Sequence, residues 1–457
     1  MKNRRIILVL ISFLLFSCGK EWLDIKQNKQ LVIPSTIEDL QALLNNFVIM
    51  NTSAPILGEI SADDYFIDND IYKSLRNAWE KNAYSWNEKI YEDPSIGGVP
   101  ADWGWPYQRI YYANTILESV PKLKPANQQE DQKMNELKGM ALFHRSFGLY
   151  HLSQIFCSTF EAEGENGIKY GLPLRLNTDL DAKLTRGNLE ETYNQMINDL
   201  LTAEPLLPSR GDSQSRLPSK AANEALLARI YLIQGKYSKA LEYAELSMQK
   251  NSDLIDFKNI DQTLDFPFPR YNSEVIFYNT LSGSEIFDTS YQIDTTLMAS
   301  YSENDLRKNL FFTNKSGRIQ FRGSYDGTNT FFGGIAVDEM YLIKAECEAR
   351  IGQKDKAYQS MLYLLSHRFE SEIQAKEFLD ADSNLLNIIL EERRKELLFR
   401  GIRWSDLRRL NLTKDFEQTL NRNIDGKHFA LLPNDNKYVL PIPDYIIFIN
   451  KFLQNPR

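Results

Sequence analysis

Asp63 and Asp64 run directly into Tyr65, and Trp79, Trp86 and Trp103 follow in a stretch whose DDYF, NAW, YSW and ADWGW clusters are separated by turn residues. Carboxylates set among rings suit a polar ligand with flat faces. Rings stack on sugar faces or peptide side chains, while the acids accept hydrogen bonds from hydroxyls or amides. Asp63, Asp64, Tyr65, Trp79, Trp86, Trp103 and, from a second loop-rich stretch, Tyr325 are therefore the candidate ligand-binding residues. Trp103, flanked by Asp102 and Gly104, is singled out among the rings, because Trp105 already opens an amphipathic helix.

Catalysis is a poorer reading of the same residues. A glycosidase needs two carboxyl groups at a set separation, and adjacent acids in a strand or loop point apart. The chain has no G-x-S-x-G, no Walker loop and no H-E-x-x-H. His144 and His151 stand about 10.5 Å apart along a helix at 1.5 Å per residue, too far to share a metal simply, and His367 and His428 have no obvious partner. Asn177, Asp179 and Asp181 alternate like the start of a calcium loop, but the sixth place lacks glycine and Asn188 occupies the twelfth, so a solvated loop is expected. The expectation is binding without turnover: no enzyme, no catalytic residue, no metal site and no cofactor.

The elements that must hold these residues are mainly helical. In AANEALLARIYLIQGKYSKALEYAELSM, Leu226, Leu227, Ile230 and Tyr231 make one apolar face; Gly235 interrupts, and Ala240, Leu241 and Ala244 make the next. DEMYLIKAECEARIGQKDKAYQSMLYLL repeats the plan, with Gly235 and Gly352, Ala228 and Ala345, and Ala240 and Ala357 each 117 residues apart. Small residues at these places let two antiparallel helices approach around a glycine turn. The layout resembles a tetratricopeptide helical hairpin, a unit that stacks into a curved right-handed array. Trp105 to Val120 and Glu136 to Phe156 read as two more amphipathic helices. Two excursions interrupt this scaffold: the aromatic stretch at about 50–104, and 261–334, where EVIFYNT, SGRIQFRGSYDG and TNTFFGG read as short strands and loops. Such long excursions are the natural place for ligand contact.

The first 18 residues say where the chain resides. A basic head of Lys2, Arg4 and Arg5, an apolar run from Ile6 to Phe16 and then Ser17–Cys18 resemble a bacterial lipoprotein signal, cut before a cysteine that takes lipid. The run is shorter than the about 20 residues of a spanning helix, and no Asp follows Cys18 to suggest inner-membrane retention, so an outer-membrane address is expected. Several acyl chains at about 0.8 kcal/mol per buried methylene hold a protein on a membrane permanently. A formal charge of −8 argues against nucleic acid and against an electrostatic grip on a membrane. Aromatic residues reach 12% of the chain, a surplus that both a core and a ligand surface can use. With Cys18 acylated, Cys157 and Cys347 remain, in helical apolar patterns that predict buried free thiols rather than a disulfide.

The densest motif is ILEERRKELLFRGIRWSDLRRL, Ile389 to Leu410, in which Arg393, Arg394, Arg403, Asp406 and Arg409 crowd the same segment as Glu391, Glu392, Lys395 and Glu396. Its physical reading is an ion-pair lattice bracing a helix, Gly401 and a second helix; exposed pairs of this kind are worth only about 0 to 1 kcal/mol each. The string Glu392, Arg393, Glu396, Leu397, Gly401, Arg403, Asp406, Leu407, Arg409 resembles the hallmark of the SusD/RagB family, the nutrient-binding lipoproteins of starch-utilisation-type systems in the Bacteroidetes. WPYQRIYYANTILE, KGMALFHRSFGLYHL, GLPL at Gly171 to Leu174, SKAANEALLARIYLIQGKYSKA, DEMYLIKAECEARIG and LPIPDYIIFINKFLQNPR fall in the family's order. The chain departs from the pattern at Arg400, where Glu is frequent, and at Tyr445 and Lys451, which replace a usual Glu and Pro.

The resemblance implies a mainly α fold: a tetratricopeptide-like scaffold with long irregular loops and a few short strands. It implies a signal peptide over 1–17 and one SusD-like domain over 18–457. It also implies a lipid-anchored protein on the outer face of the outer membrane. Such a protein captures a glycan and delivers it to a SusC-like TonB-dependent transporter, over which it sits as a lid. Two alternatives remain open: the same architecture capturing peptides, or a helical-repeat adaptor that binds another protein.

Overall fold

The computed structural model describes residues 34–91, 101–160 and 169–457; the signal segment with its Cys18 and the GGVP run at 97–100 lie outside the described residues. Helix dominates, as the periodicity predicts. Helices α1 (Ala101–Ser119), α2 (Gln128–Phe156), α3 (Leu189–Ala203), α4 (Lys220–Ile233) and α5 (Tyr237–Met248) follow one another, and α6 (Val337–Arg350) and α7 (Lys354–Ser366) resume after an excursion. Each packs against the next, α5 against α6 included, so the long insertion leaves the stack unbroken.

The 117-residue repeat is the pair of hairpins α4–α5 and α6–α7. Gly235 (φ 67°) and Gly352 (φ 84°) turn the chain in the left-handed region that favours glycine. Ala228, Ala240, Ala345 and Ala357 have no exposed surface, because the helix backbones approach closely there. The expectation of a one-faced helix understates α4, in which every residue from Ala221 to Leu232 is buried. It lies between α3 and α5 with α6 across it. Its charged residues are accordingly paired: Arg229 with Glu339 at 2.8 Å, and Glu224 with Lys250 at 2.8 Å.

Helix α1 begins at Ala101, a turn before the start expected at Trp105. Asp102 explains the extra turn. Its Oδ1 accepts the backbone N–H groups of Ile56 (2.5 Å) and Leu57 (2.9 Å), which pins the first turn of α1 to the helix Leu57–Ser61. Burial pushes the Asp102 carboxyl up to about 6, partly offset by those two N–H donors.

Strands are short and pair antiparallel: β1 (Tyr65–Phe66) with β3 (Gln292–Ile293), β2 (Val275–Phe277) with β6 (Ile335–Ala336), β4 (Phe312–Lys315) with β5 (Arg318–Phe321), and β7 (Leu420–Ile424) with β8 (Lys427–Leu431). The β1–β3 pair ties the two excursions together. Their rings pack on one another and on the Ile389–Leu410 motif: Tyr65 lies 4.8 Å from Phe287, and Phe331 stacks on Phe399, just before Gly401, at 4.6 Å. Much of the aromatic surplus is therefore core that the excursions need in order to fold. Cys157 and Cys347 are buried and free, and burial pushes the Cys157 thiol up to about 12.

The motif at Ile389–Leu410 forms α8 (Leu385–Glu396), a turn at Gly401 (φ 74°) and α9 (Arg403–Leu410). The lattice is present, and it is buried rather than exposed. Arg307, with no accessible surface, reaches Asp305 (2.7 Å), Glu392 (2.5 Å) and Glu396 (2.8 Å). Lys395 joins Glu392 (2.6 Å) to Asp305 (3.1 Å), and Arg368 joins Glu396 (2.7 Å) to Glu274 (2.9 Å). On the other side of α8, Asp406 is shared by Arg393 (2.8 Å) and Arg409 (2.7 Å), and Arg409 reaches Glu346 on α6 (2.6 Å). The surface scale of energies does not apply to such groups, because removing one member strands a charge in a medium that cannot solvate it. Arg400 has its own partner, Asp338 at 2.8 Å, and stacks 4.0 Å over the Tyr325 ring. After β8 the chain ends on α10 (Asp444–Asn450) and an extended tail.

Candidate functional site

Asp63 and Asp64 follow the helix Leu57–Ser61 and face the lattice. Arg394 of α8 reaches both, Nε to Asp64 Oδ1 at 2.8 Å and Nη2 to Asp63 Oδ2 at 3.2 Å. Arg403, at the start of α9, pairs with Asp63 at 2.7 and 2.9 Å, and Gln418 donates to Asp63 Oδ2 at 2.7 Å. The acids that chain geometry expects to diverge are thus drawn to the same guanidinium groups. Burial raises the Asp63 carboxyl, but Arg403 and Arg394 outweigh it and hold the group below the usual carboxylate range. Asp64, more deeply buried and beside Asp63, is shifted upward by burial in spite of Arg394. Glu59, one turn earlier, accepts the Gly401 N–H at 2.7 Å with Oε1, while its buried Oε2 has no partner among the described residues. Burial and then Asp64 push its carboxyl up to about 8.

In front of these acids lies a cavity of about 540 Å³, within the size range of small-ligand sites. Asp63, Tyr65 and Trp86 line it together. Trp86 follows the helix Ala78–Tyr84 with φ 51°, an uncommon value for a residue with a side chain, and donates Nε1–H to the Ser61 carbonyl at 2.9 Å. The backbone there is held so that the indole edges the cavity. Arg422 of β7 forms the floor, its guanidinium 3.7 Å from the Tyr84 ring centroid and 4.6 Å from that of Trp86. It donates to the carbonyls of Ile60, Ala62 and Tyr84. Phe66, Asn421 and Asn423 are exposed at the mouth, and Arg394 lines the wall.

The other candidate residues lie elsewhere. Asp64 is buried behind Asp63. Trp79 is half-buried and packs on the core without lining the cavity. Tyr325 is a core residue with no exposed surface, donating to Glu274 at 3.0 Å, so the expectation of a ligand-facing ring there is corrected. Trp103 is in α1 rather than in a loop, is 4% exposed, and packs on Tyr107 (4.9 Å) and Phe156 (5.0 Å). It borders a different cavity, between α1, the segment 173–184 and α10.

Sequence reasoning missed Phe66, Arg394, Gln418, Asn421, Arg422 and Asn423. The last three sit on β7, whose hairpin was legible: Asp425 and Gly426 (φ 51° and 75°) form the two-residue loop of a tight hairpin, and N-I-D-G-K carries its signature. Chemically the cavity offers fixed guanidinium, amide and ring surfaces, and its one lining member of the acid pair is already neutralised by arginine. Among the described residues no cluster of three or more His, Cys, Asp or Glu is placed to hold a metal ion.

Comparison with known proteins agrees with this architecture. A family model described as starch-binding and associating with the outer membrane matches residues 21–232, and the SusD family model matches residues 337–455, which hold the second hairpin and most of the lattice. SusD-like protein P2 of Formosa agariphila is 23% identical over the full length of both chains. A putative sugar-binding protein of Bacteroides vulgatus shares the fold with a TM-score of 0.74 at 23% identity, over 92% of this chain and 98% of that one. Surface glycan-binding protein A of Bacteroides fluxus does so with a TM-score of 0.67 at 16% identity, over 93% of this chain and all of that one. With both family models falling on the segments that build the helical stack and the buried lattice, the chain belongs to the SusD/RagB family, a family of sugar- and glycan-binding proteins associated with the outer membrane.

Proposed function

We propose that this protein captures a glycan in the cavity between Asp63, Trp86 and β7 and delivers it to a SusC-like TonB-dependent transporter, held at the outer face of the outer membrane by lipid on Cys18. In this reading residues 1–17 are removed and 18–457 work as one domain. The observation that carries it is the lining: the exposed Phe66 ring beside the amides of Asn421 and Asn423 and the guanidinium of Arg394, with Tyr65 and Trp86, each 3% exposed, contributing only an edge. Hydroxyl groups need such donors and acceptors around a flat apolar face.

The chemistry also favours binding without turnover. A hydrolytic acid pair needs one carboxyl group protonated and one free, whereas Asp63 is ion-paired twice and Asp64 is closed off behind it. The test is calorimetric titration of the soluble form beginning after Cys18 with neutral glycans, acidic glycans and oligopeptides, with product analysis of each mixture. Saturable binding to one glycan class with no shortened product is the expected result. Binding to oligopeptides alone transfers the site to the peptide-capturing alternative, and shortened products overturn the non-catalytic reading.

A further inference from the structure

Where α2, α4, the Gly401 turn and both excursions meet lies a cavity of about 20 Å³, room for one atom-sized ligand. Two guanidinium groups line it with donors to spare. Arg229 uses Nε and Nη2 on Glu339 and the Gly334 carbonyl, and Arg400 uses Nη2 on Asp338, so Arg229 Nη1 and Arg400 Nε and Nη1 have no partner among the described residues. His151 of α2 lines the cavity too. Its Nδ1 lies 3.4 Å from Arg109 Nη1, which can only donate, so the proton of the neutral imidazole is on Nε2. Burial and then Arg109 keep that ring neutral by holding its pKa well below the usual value. Gln154 adds one unpartnered acceptor, Oε1, because its Nε2 donates to Ser153 and Tyr193. These four residues are at most 7% exposed, and no Asp or Glu stands in the lining.

Charge around the cavity is out of balance. Arg229 belongs to a chain of ion pairs running through Glu339, Arg393, Asp406, Arg409, Glu346 and Arg350, in which four guanidinium groups meet three carboxylates. Arg109, with no exposed surface, is held by backbone carbonyls, Ser53, Asn279 and His151 and pairs with no carboxylate among the described residues. Glu59, next to the lining residue Gly58, does not make up the difference, since burial keeps its carboxyl protonated up to about pH 8. A buried cation without a counter-ion is costly.

We propose that this cavity is an anion site that takes a single chloride ion, held by Arg229, Arg400 and the Nε2–H of His151. Size and charge select the class together. Carboxylate, phosphate and sulfate do not fit in one atom's space, and a metal cation would face guanidinium groups. A water molecule could use Gln154 Oε1 but brings no charge. Seated there, the ion ties the helical stack to the Gly401 turn and to the excursions that carry the glycan cavity, so its removal is read as lost stability.

The test has two arms on the soluble protein beginning after Cys18. Crystals soaked in sodium bromide are measured at the bromine absorption edge. Thermal unfolding is followed in sodium chloride and in sodium gluconate of equal concentration, for the wild-type protein and for Gln154→Glu, whose carboxylate keeps the side-chain shape and takes over the role of the ion. The expected outcome is an anomalous peak in the cavity within hydrogen-bond reach of Arg229 and Arg400, a melting temperature about 2 °C higher in chloride than in gluconate, and no such difference in Gln154→Glu. The proposal is overturned by a cavity with no anomalous peak, which then holds water alone. It is overturned equally by a peak without any chloride dependence of melting, which is binding at crystal concentration only, or by a chloride dependence that Gln154→Glu retains in full. Should that variant fail to fold, the anomalous peak and the wild-type melting pair decide the matter.

Discussion

Glu59 shows how one buried group ties pH to the site. Its carboxyl titrates near 8 when folded and near the ordinary 4.5 when unfolded, so between these values the unfolded chain holds fewer protons than the folded one. Stability is therefore highest below about pH 4.5 as far as this group is concerned, and falls as pH rises toward 8, at a limiting slope of roughly 1.4 kcal/mol per unit. Glu59→Gln, which keeps the Gly401 contact and cannot ionise, is expected to flatten that fall; chemical denaturation at pH 6 and pH 9 shows it, and an unchanged slope contradicts it. At the mouth of the cavity, Phe66→Ala and Asn421→Ala remove exposed groups with no part in the core, so glycan affinity should drop by about 1 to 2 kcal/mol in calorimetry while the melting curve stays put. Tyr325 and Trp86 are unsuitable for that test, because each is buried with a hydrogen bond of its own. Sequence alone cannot separate Phe66 from Tyr325, since exposure of an aromatic residue in an irregular segment depends on which distant ring it meets.

Elements divide into those that local pattern specifies and those that distant partners specify. The hairpins α4–α5 and α6–α7 were legible because the glycine turn and the small-residue contacts are set by short-range geometry. Gly352→Ala tests that reading: a Cβ there meets open space, so its cost is the left-handed backbone alone, about 1 to 2 kcal/mol in denaturant unfolding, and a neutral effect contradicts it. The lattice was legible as a set of charges around α8 but not as a buried one. Its key cation, Arg307, stands 85 residues before Glu392, and no spacing rule connects them. Arg307→Met takes one cation from each of Asp305, Glu392 and Glu396, leaving Lys395 to serve two buried carboxylates and Arg368 the third, and should destabilise by roughly 3 to 5 kcal/mol. Lys73→Ala, which breaks the exposed pair with Asp425, should cost about 0 to 1 kcal/mol. Equal effects of the two changes would contradict the burial argument. The hairpin β7–β8 is carried by its Asp-Gly turn, and the β7 side of the cavity wall follows from it.

Across the molecule, the lattice links the helical stack to the cavity beside Asp63. Glu346 on α6 holds Arg409 and Asp406 holds both Arg409 and Arg393, while Arg394 and Arg403 from the same two helices grip Asp63 at the cavity wall. A cavity assembled from the N-terminal loop, α8 and β7 is therefore held rigid by the same motif that braces the stack, which suits a binding protein whose ligand contacts must be preformed. A crystal structure of the soluble protein with the tightest-binding oligosaccharide shows whether glycan occupies this cavity. A sugar ring seated against Phe66 and within hydrogen-bond reach of Asn421 or Arg394 is the predicted result, and an oligosaccharide seated elsewhere on the chain, with this cavity holding solvent, contradicts it.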